Sequence, residues 1–245
     1  MGALIAAFFL TALLYAAVGF GGGSTYSALL ALTGFDYRLL PVLSLACNIV
    51  VVTGGTIRFA RAGLLPWRKA GLLTAIAAPA ALLGGLTPIG ERGFLLLLGV
   101  SLVLTALTML LPLAQRVGEP HRAARFVPMI AAPLGYLAGL VGIGGGIFLA
   151  PLLHLLRWNE ARAIAATASL FILVNSLFGL AGQMVKNDAA TLGAAVSGGL
   201  PLLLAVAVGG QVGSLLAVRF LPQRAIRWAT ALLVGVVGAR LLLGL

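Results

Sequence analysis

Val18-Gly19-Phe20-Gly21-Gly22-Gly23 returns 123 residues later as Val141-Gly142-Ile143-Gly144-Gly145-Gly146, glycine for glycine. Each copy cuts an apolar run. Residues 2–18 precede the first break and 126–141 the second, and shorter apolar pieces, 24–34 and 147–156, follow. A glycine costs a helix about 1 kcal/mol relative to alanine, so three in a row predict an interruption in each run.

The residues around the breaks set the solvent. The chain has 245 residues, 61% hydrophobic and 9% charged. A soluble domain carries about 25% charged residues, so most of this surface must face lipid. The net charge of +11 invites a nucleic-acid reading, but the charges fall in short clusters between apolar runs, where loop charges of a membrane protein sit. Cys47, the only cysteine, can form no internal disulfide or metal cluster and reads as a buried small hydrophobe. No basic stretch precedes the first apolar run, so that segment is expected to remain rather than be cleaved as a signal peptide.

Further runs cover 40–57, 70–88 and 94–113 in the first half and 163–185, 189–218 and 229–245 in the second. Asn48 and Asn175 follow the breaks by about thirty residues, and Gly84-Gly85 recurs as Gly209-Gly210. The fold expected is an all-α membrane protein of two repeats, 1–114 and 126–245, joined by a cytoplasmic linker at 115–125. A repeat this long fits the paired halves of a transporter better than a solenoid.

Charge decides the relative orientation of the halves. If each broken element crosses the membrane, one side holds Arg58, Arg61, Arg68, Lys69, Arg116, Arg122, Arg125 and Lys186. The other holds Arg38, Arg92, Arg157, Arg162, Arg219, Arg224 and Arg227, so the count is 8 to 7. If each element dips in and returns, the last five of that second set move inside, Lys186 moves outside, and the count becomes 12 to 3. Only the second distribution has the positive-inside bias. The expectation is two inverted repeats, each a re-entrant helix pair plus three transmembrane helices.

The breaks are also the candidate site. Irregular backbone at membrane depth occurs only where it is buried or lines a cavity. A helix starting after each break offers unpaired amides and a positive dipole end, which suit an anion. Gly21, Gly22, Gly23, Gly144, Gly145, Gly146 and Ile147 supply this backbone; Ser24, Thr25, Asn48, Ser169 and Asn175 are the candidate polar partners. Two alternatives stand beside that reading: glycine runs also let helices pack closely, and the asparagines could instead bond between helices.

Other chemistries lack their residues. Asp36, Glu91, Glu119, Glu160 and Asp188 all fall near predicted span ends, leaving no intramembrane carboxylate for a proton relay. A serine protease would need Ser24 and His154 together, yet they belong to different halves. No nucleotide-binding loop occurs, and no metal or cofactor is expected.

The two glycine motifs with Pro151, the placement of Asn48 and Asn175, and the two-half layout resemble the TauE/SafE, or sulfite exporter, family of membrane transporters. Ala28 stands where the second repeat has Pro151. The resemblance implies a secondary transporter or facilitator moving sulfite or an organosulfonate outward across the bacterial cytoplasmic membrane. The residues alone reach a small anion. The reading from a different class is a membrane scaffold or partner subunit without transport.

Overall fold

The computed structural model describes residues 1–18, 20–110, 121–216 and 223–244. The described residues form helices without strands, as lipid requires, because a helix satisfies its own backbone hydrogen bonds. The first half contains α1 (Gly2–Val18), α2 (Gly23–Leu32), α3 (Leu39–Arg61), α4 (Trp67–Leu86) and α5 (Glu91–Leu110). The second contains α6 (Val127–Val141), α7 (Gly146–Leu155), α8 (Ala161–Lys186), α9 (Ala189–Leu216) and α10 (Gln223–Leu243). A 3-10 turn, Arg122–Phe126, leads into α6. Gly19 and residues 115–120 of the expected linker lie outside the described residues.

Among the described residues, six segments are long and apolar enough to cross a membrane: α3, α4, α5, the turn with α6, α8 and α9. The first arm of each broken element is therefore longer than a half-helix. The turn and α6 together span 20 residues, and the 17 residues of α1 reach about 25 Å. Only the second arms, α2 and α7 at 10 residues each, are half-length.

The chain turns back at both breaks. Tyr26, just past the first, stacks on Phe8 in α1 with ring centroids 4.8 Å apart. Tyr15 Oη and Thr25 Oγ1 share a hydrogen bond of 2.9 Å across the same turn. In the second half the His121 amide donates to the Leu156 carbonyl at 3.0 Å. The α6–α7 excursion thus closes on the end where it began.

Glycines set the helix packing. Lipid tails are as apolar as leucine, so burial gives little drive for helix association and close approach must supply it. Gly135 and Gly139 of α6 lie against Ala77 and Ala81 of α4, and Gly209 and Gly213 of α9 against Phe9 and Leu13 of α1. Both pairs run parallel, since their numbers rise together. The pairs α3–α8 and α5–α10 run antiparallel. Thr56 bonds Ser169 at 2.9 Å, while Asn48, two turns back along α3, is level with Ile172 and Ser176, further along α8. Likewise Gly99 meets Leu242 and Gly238, while Ala106 meets Gly235.

Loop contacts sort the ends of the helices. Lys69 lies 5.6 Å from the Trp158 ring, placing the first turn of α4 beside the α7–α8 loop. At the opposite end, Lys186 donates to the Thr87 carbonyl at 3.5 Å, and Arg38 acts electrostatically on Asp188. Asp36 lies in the α2–α3 loop, Glu91 opens α5, and Glu160 and Asp188 precede α8 and α9. Glu119 is outside the described residues.

Candidate functional site

Each short helix begins on a glycine with left-handed backbone: Gly22 at φ 87° and Gly145 at φ 75°. A side chain there would be strained, so these two positions need glycine. Neither has a side-chain cap. The first amides to reach a carbonyl in their own turn are those of Thr25, to Gly22, and Phe148, to Gly145. The preceding amides, of Gly23 and Ser24 and of Gly146 and Ile147, have no acceptor within their helices.

The two breaks touch. A methyl group on Gly23 would lie 2.9 Å from the Ile143 carbonyl oxygen and would also run into the Asn48 amide. The same amide fills the space beside Gly21, and its Nδ2 would be 2.8 Å from a methyl on Gly144. Asn48 is thus wedged between both breaks from α3. It is fully buried, and neither its oxygen nor its nitrogen has a hydrogen-bond partner among the described residues. A buried amide in that condition costs about 1–3 kcal/mol per unmet group.

A cavity of about 10 Å³ opens beside the glycines, lined by Tyr15, Phe20, Gly21, Gly22, Gly23, Ser24, Ile143, Ile147 and Ile172. That volume matches about one water. The Ser24 hydroxyl in its wall is buried without a partner among the described residues, as is that of Ser176, which lies 3.3 Å from the methyl position of Gly144.

The expected residues divide into two groups. Gly21, Gly22, Gly23, Ser24 and Ile147 share the cavity, and Asn48 and Gly144 lie against it. Gly145 packs on Phe171 and Gly146 on Ile172. The remaining polar candidates are elsewhere or engaged. Thr25 is bonded to Tyr15 and Ser169 to Thr56. Asn175 is buried with its amide unpartnered, but it is not among the groups nearest any described break glycine. The repeat offset explains this. A shift of 123 pairs Asn48 with Phe171, so Asn175 stands one helical turn beyond the equivalent place. Tyr15, Phe20, Ile143, Ile172 and Ser176 escaped the sequence reading. The phenol of Tyr15 seven residues before Gly22 was a usable signal; nothing in the sequence marked Ile172.

Residues 4–241 match the family described as Sulfite exporter TauE/SafE. A relative from Sinorhizobium fredii, described as "Probable membrane transporter protein y4hK", is 35% identical over 245 residues, covering 98% of this chain and 97% of that protein. No solved structure matches the chain. Six apolar helices long enough to span a bilayer and these matches make it a multi-pass integral membrane protein, and it belongs to the TauE/SafE sulfite exporter family of transporters.

Proposed function

We propose that this transporter moves sulfite or an organosulfonate out of the cell, and that the anion binds where the two glycine breaks meet. The observation that carries the reading is the meeting of the two breaks around the Asn48 and Ser24 side chains, which have no hydrogen-bond partner among the described residues, beside the helix start at Gly23. An oxyanion has acceptors for all of these donors. A neutral donor set holds it weakly enough for release. The cavity of about 10 Å³ is smaller than such an anion, so transport in this reading requires the breaks to part. Tyr15 and Ile172, which face the same cavity, are the side chains that would move with them. Asn175 and Ser169 are left outside this set by their positions.

We further infer that residues 1–114 and 126–245, on either side of a cytoplasmic linker at 115–125, are inverted repeats. The antiparallel pairing of α3 with α8 and of α5 with α10 supports this, because equivalent helices of parallel repeats would point the same way. The shared end of Lys69 and Trp158 supports it too. Cysteines at Gly63 and Asn159 should be labelled from one side of the membrane; labelling from opposite sides would overturn the inversion.

The decisive experiment is flux in proteoliposomes containing only this protein, across sulfite, sulfoacetate, taurine, sulfate and chloride. Flux of a sulfur oxyanion is expected, with Asn48→Ala reducing it about tenfold or more, in line with the loss of a hydrogen bond to a charged group. Absence of flux for every anion removes the reading, and normal flux in Asn48→Ala removes the role of Asn48.

A further inference from the structure

A second group of polar side chains lies about 15 Å along α3 from Asn48, at ten residues of 1.5 Å rise. There the adjacent glycines 54 and 55 leave the helix backbone bare. A methyl group on Gly54 would lie 3.2 Å from Arg58 Nη2 and 3.3 and 3.5 Å from Nε2 and Oε1 of Gln211, so the guanidinium of α3 and the whole carboxamide of α9 converge over one spot. Both side chains are exposed. Gly55 faces the Ser169 hydroxyl at 3.6 Å, and Ser169 is bonded to Thr56. This buried Thr56–Ser169 pair lies between Arg58 and Asn48 along α3. Arg61 at the end of α3 and Arg68 and Lys69 in the first turn of α4 lie at the same end of the molecule, where a positive field raises the local concentration of anions.

We propose that Arg58 and Gln211 form an anion-receiving site at the basic end of the molecule, where a sulfonate or sulfite pauses before it moves along α3 to the glycine breaks. The proposal rests on the transport reading above. The planar fork of a guanidinium presents paired N–H donors to an oxyanion. The Gln211 amide adds a donor from a different helix, so the anion would bridge α3 and α9.

The test uses Gly54→Cys, whose thiol lies between the two groups; native Cys47 is fully buried and stays silent. In proteoliposomes, the thiol is modified by methanethiosulfonate ethylsulfonate, itself a sulfonate, and by its trimethylammonium counterpart. Arg58→Gln in the same background is expected to lower the anionic-to-cationic rate ratio by about threefold or more. Sulfoacetate at constant ionic strength should slow the anionic reagent only when Arg58 is present. A smaller fall in the ratio overturns the site. So does a dependence on Arg58 seen only in phosphatidylglycerol vesicles and unaffected by sulfoacetate, which would assign Arg58 to lipid headgroups. The thiol rates need no turnover, so protein that carries no flux overturns the transport reading while these rates still decide the site.

Discussion

The α4–α8 and α3–α9 interfaces hold corresponding places in the two halves, yet they are built differently. Between α4 and α8 the backbones touch. A methyl group on Gly182 would run into the Leu82 carbonyl, and one on Gly85 into that of Gly179. The buried Gln183 side chain closes the same region by donating to the Gly139 carbonyl at 3.0 Å. Between α3 and α9, a methyl on Gly210 would meet Val51 at an ordinary 3.5 Å. Toward the basic end, the space beside Gly54 is taken by the ends of Arg58 and Gln211. Backbone-to-backbone contact is rigid, because nothing in it can rotate away. Side-chain ends can swing at little cost. The α4–α8 interface is thus sealed by backbone contact, and the α3–α9 interface is closed by side chains.

Substitutions at the two glycine contacts give the largest contrast. Gly182→Val should separate α4 from α8 and lower Tm by about 10 °C or prevent folding, since overpacking against backbone has no cheap relief. Gly210→Ala should leave Tm within about 2 °C, because its added methyl finds ordinary van der Waals space. Equal effects in thermal denaturation in detergent would erase the distinction between the interfaces. A smaller effect is expected at Gln183. Gln183→Leu removes one interhelical hydrogen bond, about 1 kcal/mol in a membrane protein, so Tm should fall by about 2–4 °C. A loss near zero would mean that glycine contact alone makes the seal.

The smallest effect concerns the loop that opens α9. The Thr191 side chain and amide hydrogen-bond the Asp188 carboxylate and, with Arg38, hold its pKa below the usual value; the amide bond is 2.7 Å. The folded state therefore favours the ionised carboxylate. Its stabilising effect is full above the unfolded pKa of about 3.9 and is lost as pH falls through the lower folded value. Asp188→Ala should lower Tm by about a degree at pH 7 and by less at pH 3. An equal loss at both values would show that ionisation of Asp188 does not matter.

Composition and order along the chain made much of this protein legible. So few charges can only cover a lipid-facing surface, and the interrupted apolar runs marked the ends of the described helices to within six residues, the widest miss being the start of α10. The repeated glycines located both breaks because a run of glycine in apolar sequence has few other physical explanations. Local sequence also gave the helix starts, since the missing amide partners follow from helix geometry alone. Side-chain convergence was another matter. Asn48 and Asn175 look equivalent in spacing, yet a single turn of register puts one between the breaks and leaves the other away from them. Ile172 and Ser176 reach the breaks from a helix that begins after both. Arg58 and Gln211 are 153 residues apart and meet only because α3 packs beside α9. The glycine breaks were written in the sequence because they are backbone properties. What surrounds them was decided by the packing of helices distant in the chain, which sequence order does not encode locally.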